Sequence, residues 1–84
     1  MADFKLTPTM QAVRKVLRSA GVSGLTDSEI TDALLASGLP EAPSSTYRKR
    51  RTELAQAGVV VWNGARRRNK RGAMEKVWVV KRAR

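Results

Sequence analysis

Residues 44–60 read Ser44-Ser45-Thr46-Tyr47-Arg48-Lys49-Arg50-Arg51-Thr52-Glu53-Leu54-Ala55-Gln56-Ala57-Gly58-Val59-Val60, and this stretch decides the fold. Ser44 or Ser45 can cap a helix, no glycine or proline interrupts the residues that follow, and Gly58 closes the segment. The spacing predicts a helix over about 45–57, with Tyr47, Leu54, Ala55 and Ala57 as its apolar positions. Four cations, Arg48, Lys49, Arg50 and Arg51, crowd its beginning. A helix dipole favours anions there, so this placement costs stability unless an anionic partner is met. After Gly58 the residues change to a β-branched and aromatic run, Val59-Val60-Val61-Trp62, which reads as a strand.

Working upstream, Thr26-Asp27-Ser28-Glu29 is a capping-box pattern, with Thr26 as cap and Glu29 reaching back. It starts a helix over about 27–37 whose buried stripe is Ile30, Ala33 and Leu34, ended by Gly38. Pro40 and Pro43 block any continuation into the next helix. Further upstream, Thr7 and Pro8 open a helix over about 8–20, with Met10, Val13, Val16, Leu17 and Ala20 inward and Arg14, Lys15 and Arg18 outward. The short segment 22–25 is expected to add an extended edge. Downstream, Lys76-Val77-Trp78-Val79-Val80 reads as a second strand, giving a hairpin over about 59–82. The intervening residues 63–74 are too many for a tight turn and carry five cations, Arg66, Arg67, Arg68, Lys70 and Arg71, with no acid. They are expected to form a loop that orders only when a polyanion removes the repulsion. Trp62 and Trp78 are expected to seal the hairpin against the helices, in a register that two continuous apolar runs leave open.

The chain of 84 residues suits one domain over 1–84 with a modest core. It carries 17 Lys and Arg against 7 Asp and Glu, a net charge of +10. Residues 1–43 hold four basic and five acidic groups, whereas residues 44–84 hold thirteen basic groups and only Glu53 and Glu75 as acids. A surface that served only solubility would mix signs; a one-sided excess predicts a polyanionic partner. With no cysteine there is no disulfide and no thiolate for a metal, and with no histidine the commonest general base is missing. No carboxylate pair has a spacing suited to metal-assisted phosphodiester cleavage, and no Gly-x-x-x-x-Gly-Lys loop is present. The expectation is a protein that is not an enzyme and needs no cofactor. No apolar run approaches the roughly 18–20 residues that span a bilayer, and the beginning at Met1 does not read as a signal-like leader. A soluble protein of the cytoplasm, with no membrane partner, is expected. Abundant arginine and alanine, with Ile30 the sole isoleucine, suggest GC-rich coding.

Three helices followed by a basic-tipped hairpin is the order of a winged helix-turn-helix domain, an α+β fold whose C-terminal β-hairpin is the wing. The stretch from Ser44 to Val60 resembles the recognition helix and first wing strand of small winged helix proteins. The tail Gly64-Ala65-Arg66-Arg67-Arg68, Gly72 and Val77-Trp78 is similar to the wing of a subgroup common in bacteriophages and in bacteria with GC-rich genomes. The likeness runs over about residues 8–80; the turn between the second and third helices is longer and richer in proline than the shortest form. It implies a third helix in the major groove of double-stranded DNA and a wing on the backbone or minor groove.

Arg48 and Lys49 are then the candidates for base edges, since arginine reads guanine bidentately. Ser44, Ser45 and Thr46 are candidates for phosphate contacts at the helix start. Arg50 and Thr52 are further candidates. Arg51 is expected to be structural, paired with Glu53 or with an acid of the second helix such as Asp32. Arg66, Arg67, Arg68, Lys70 and Arg71 are assigned to phosphates or the minor groove. A transcriptional regulator or phage accessory factor, monomeric because no helix is left over for a dimer interface, is the main reading. The alternative is a module that docks on a host or phage protein, such as a polymerase or replication protein. RNA binding ranks third, because no single-strand motif rich in glycine or aromatics is present.

Overall fold

The computed structural model describes residues 7–39 and 44–81. The proline-bearing turn at 40–43 and the basic tail at 82–84 lie outside the described residues. The fold is α+β: helices α1 (Pro8–Ala20), α2 (Asp27–Ala36) and α3 (Ser44–Gln56) precede strands β1 (Val60–Arg68) and β2 (Met74–Val80), which form one antiparallel hairpin.

Local chemistry explains each boundary. Thr7 Oγ1 accepts from Met10 N at 3.2 Å, and Pro8 sits where its missing N–H is not needed. The capping box of α2 is complete: Thr26 Oγ1 accepts from Glu29 N and Glu29 Oε1 accepts from Thr26 N. At the end of α3, Val59 N donates to Leu54 O at 2.9 Å across Gly58, which turns the chain into β1.

Met10, Val13 and Leu17 of α1, Ile30 and Leu34 of α2, Tyr47 and Leu54 of α3 and Val60 of β1 form the core. Each fully buried Leu or Ile contributes about 1.5–3 kcal/mol of transfer free energy, so the helical periodicity is what brings the three helices together. Ala57, expected to be apolar and inward, is exposed, because it follows the last residue of α3 and has no facing element. Residues 22–25 give less extended structure than expected: Gly21–Ser23 is a short 3-10 turn, and only Leu25 pairs, exchanging two backbone hydrogen bonds with Trp78. Gly24 makes that approach possible. A Cβ on it would lie 2.5 Å from the Trp78 carbonyl oxygen, and its φ is +65°.

The hairpin departs most from expectation. Residues 63–74 are not a long loop; β1 continues to Arg68 through a register shift between Trp62 and Arg66, and the turn is confined to 69–73. Asn69 organises that turn, its Oδ1 accepting from Arg71 N and Ala73 N while its carbonyl accepts from Gly72 N. An Asn at the first position and Gly72 at the fourth are the residues such a turn favours. The register is Val60 opposite Val80, Val61 opposite Val79 and Trp62 opposite Trp78. Trp78 lies between Leu25 and Trp62 and packs against the core, whereas Trp62, on the outer strand, is 39% exposed. The expectation that both tryptophans seal the core is therefore corrected for Trp62: the helices cover β2 and the start of β1, and the indole at 62 lies beyond them.

Candidate nucleic-acid interface

The cations of α3 separate into two kinds. Thr46, Arg48 and Lys49 are exposed, and neither cation has an acidic partner among the described residues. Arg50 is half-buried with its Nε 3.1 Å from Glu53 Oε1, one turn along the same helix. Arg51 is held on both sides: its Nε and Nη2 each donate to Asp27 at 2.7 Å, and its guanidinium lies 4.0 Å from the centre of the Trp78 ring. Arg51 is structural, as expected, and its partner is an acid of the second helix: Asp27, the first residue of α2, in place of Asp32. Thr52 is half-buried beside it. Ser44 and Ser45 lie in the first turn of α3, and their side chains are outside the described part of the structure.

The hairpin cations also divide. Arg66, Arg68 and Arg71 are exposed. Arg67 instead turns back to the helices, pairing with Glu29 and donating to the Ser23 carbonyl at 2.9 Å. Lys70 lies 3.2 Å from Asp32, with both side chains mostly in solvent. Of the five cations in this stretch, Arg67 is thus countered by Glu29 of α2, Lys70 lies near Asp32 in solvent, and Arg66, Arg68 and Arg71 have no acidic partner among the described residues.

A second set of contacts joins the hairpin to the beginning of α2. Ser28 N and Ser28 Oγ donate to the two oxygens of Glu75, at 3.1 and 2.7 Å, and Asn69 Nδ2 donates to the same carboxylate. A carboxylate at a helix N-terminus is favoured by the dipole. Burial acts to raise the Glu75 pKa, but the hydrogen bonds from Asn69, Ser28 and Thr26 outweigh it and hold the group below its ordinary value. Glu29 behaves alike: burial raises it, while Arg67 and the Thr26 hydrogen bonds bring it below the ordinary value.

Between these elements runs an open groove of about 580 Å³. Arg48 and Arg51 of α3, Lys70 and Arg71 of the turn and Lys76 of β2 line it, with Asp27, Asp32 and Glu75 as its acids. Those acids are engaged by Arg51, Lys70, Ser28 and Asn69, so Arg48, Arg71 and Lys76 are the cations left to face a visitor. Lys76 escaped the reading of the sequence because it lies in an apolar strand; the alternation of that strand, which aims it away from Val77, was the available signal. No group of acids among the described residues is arranged to hold a metal ion, and no helix there is long and apolar enough to cross a membrane.

Compared with known proteins, the chain matches no family model, no curated protein and no solved structure.

Proposed function

We propose that this chain is a winged helix-turn-helix module that binds double-stranded DNA as a monomer, in the role of a transcriptional regulator or phage accessory factor, and carries no catalysis. The observation that supports this reading best is the shared groove: Arg48 from the start of α3 and Arg71 and Lys76 from the hairpin line one concave surface. In this reading α3 enters the major groove, where Arg48 and Lys49 meet base edges. The hairpin is the wing, and Arg66, Arg68 and Arg71 follow the backbone or minor groove. Its place of work is the cytoplasm, on the nucleoid, or the host cell cytoplasm if it is phage-encoded. Salt titration of duplex binding tests the reading. If about six phosphates are neutralised, log K against log salt has a slope of about −5, and a slope near zero overturns it.

A different observation favours a second reading, docking on a polymerase or replication protein. A groove of about 760 Å³ between α1 and the hairpin has Leu17, Val22, Val61 and Val79 in its lining and Arg14, Arg18 and Lys81 among them, with no acid. Val22 is 76% exposed. An acidic protein segment with apolar side chains fits such a groove. A protein captured from lysate that survives nuclease treatment, and is lost on Val22→Asp, supports docking over DNA binding.

A further inference from the structure

Trp62 is held outward by a local device. Between Trp62 and Arg66 the ladder shifts register, with Gly64 at φ +90°. Ala65 N donates to Asn63 Oδ1 at 2.8 Å, and Trp62 Nε1 donates to the Ala65 carbonyl at 2.7 Å. The bulge therefore satisfies the only polar atom of the indole and fixes the ring, as bulges do where a strand must re-aim a side chain. Two cations lie over that ring: Arg66 Cζ at 5.0 Å and Lys76 Nζ at 4.8 Å from its centre. They are cross-strand partners, a like-charge pairing that is unfavourable in an isolated sheet, and neither has an acidic partner among the described residues. Lys76 also lines the groove shared by α3 and the hairpin, so this cluster continues that surface.

We propose that Trp62, Arg66 and Lys76 form a binding site for an unpaired nucleotide, its base stacked on the indole and its flanking phosphates on the two cations, so that the protein prefers duplex DNA bearing a single-stranded end or gap over uninterrupted duplex. The inference rests on the DNA-binding reading above and names its substrate more closely. In the interior of a duplex both faces of every base are covered by neighbours, and an exposed indole has no base face to meet there. An unpaired base offers one, and base–aromatic stacking is indifferent to sequence. Cation–π contacts at an exposed site are weak, so phosphates draw Arg66 and Lys76 aside and uncover the ring.

The experiment uses the full chain labelled with 5-fluorotryptophan, which gives one fluorine resonance for each of Trp62 and Trp78. Affinities are compared for a blunt duplex and for the same duplex with a short 5′ or 3′ overhang. The overhang is expected to tighten binding by about fivefold or more, and to move the Trp62 resonance while that of Trp78 stays. Trp62→Ala removes the preference and leaves blunt-duplex affinity unchanged; Trp62→Phe, which still stacks, retains part of it. Equal wild-type affinity for both substrates, or a Trp62→Ala loss that is the same for both, overturns the inference while the duplex reading stands. Failure of both substrates to bind overturns the two together. Should Trp62→Ala lower the melting temperature, the Trp62→Phe variant and the fluorine shift decide.

Discussion

At Arg51 the guanidinium is enclosed by the Asp27 carboxylate and the Trp78 ring, so one of four consecutive cations is spent on joining α3, α2 and β2. Its side chain is 11% exposed and that of Asp27 is 21% exposed. Breaking a fully buried pair costs about 3–5 kcal/mol and an exposed one about 0–1 kcal/mol. Arg51→Ala is therefore expected to cost about 2 kcal/mol in chemical denaturation, a large share of the stability of so small a domain. Asp27→Asn should cost a similar amount, and the double variant less than the two effects combined. Strict additivity would mean that the pair contributes nothing as a pair. The Lys70–Asp32 contact is the contrast: with side chains 87% and 54% exposed, it is expected to leave the melting temperature unchanged when Lys70 is replaced by alanine.

At the scale of the element, the hairpin is docked on α2 through two carboxylates, Glu75 of β2 and Glu29 of α2 itself. Both are held below their ordinary pKa of 4.5 in the folded protein. The unfolded chain therefore takes up protons first as pH falls, and the stabilisation that exists above about pH 4.5 is lost as pH drops through the lower folded values. The melting temperature is expected to be level between neutral pH and the upper edge of that range and to fall below it. Glu75→Gln should lower the melting temperature at neutral pH and make the acid fall shallower, since one of the two responsible groups is gone. A variant that melts with an unchanged acid slope would show that Glu75 has no part in it. The same docking leads us to expect amide order parameters for 66–74 near those of the helices in the free protein.

For the molecule as a whole, the arrangement divides the cations by task. Glu29, Asp27, Asp32 and Glu53 take up Arg67, Arg51, Lys70 and Arg50, and of the other described cations of α3 and the hairpin, Arg48, Lys49, Arg66, Arg68, Arg71 and Lys76 remain at the surface without an acidic partner among the described residues. If α3 reads base edges and the hairpin follows the backbone, Arg48→Ala or Lys49→Ala reduces the preference for a site selected from random duplexes by about tenfold. Replacing Arg66, Arg68 and Arg71 together weakens all duplexes evenly and lowers the salt slope by about three. A hairpin variant that lost selectivity while the α3 variants kept it would reverse the assignment. Arg67 is omitted from that set because its removal would disturb the contact with Glu29 rather than report on DNA.

Much of the fold is legible in the sequence, because it depends on local chemistry. Thr7-Pro8 and the Thr26–Glu29 capping box start α1 and α2, Gly58 ends α3, and helical spacing marks Met10, Val13, Leu17, Ile30, Leu34, Tyr47 and Leu54 as core. The one-sided charge is legible for the same reason, since it is a property of composition alone. The shorter turn at 69–73 is marked in the sequence by Asn69 and Gly72, but the five cations over 66–71, with the repulsion expected among them, point to a longer loop. Apart from Arg51, which cations are engaged and which are left is not legible. Ion pairing at long sequence separation depends on which helix face meets which strand, and nothing near Arg67 or Glu75 in the chain announces Glu29 or Ser28. The two tryptophans make the same point: their neighbourhoods read alike, and only the order of strands, with β2 against Leu25 and β1 outside it, buries part of Trp78 and leaves Trp62 in the open.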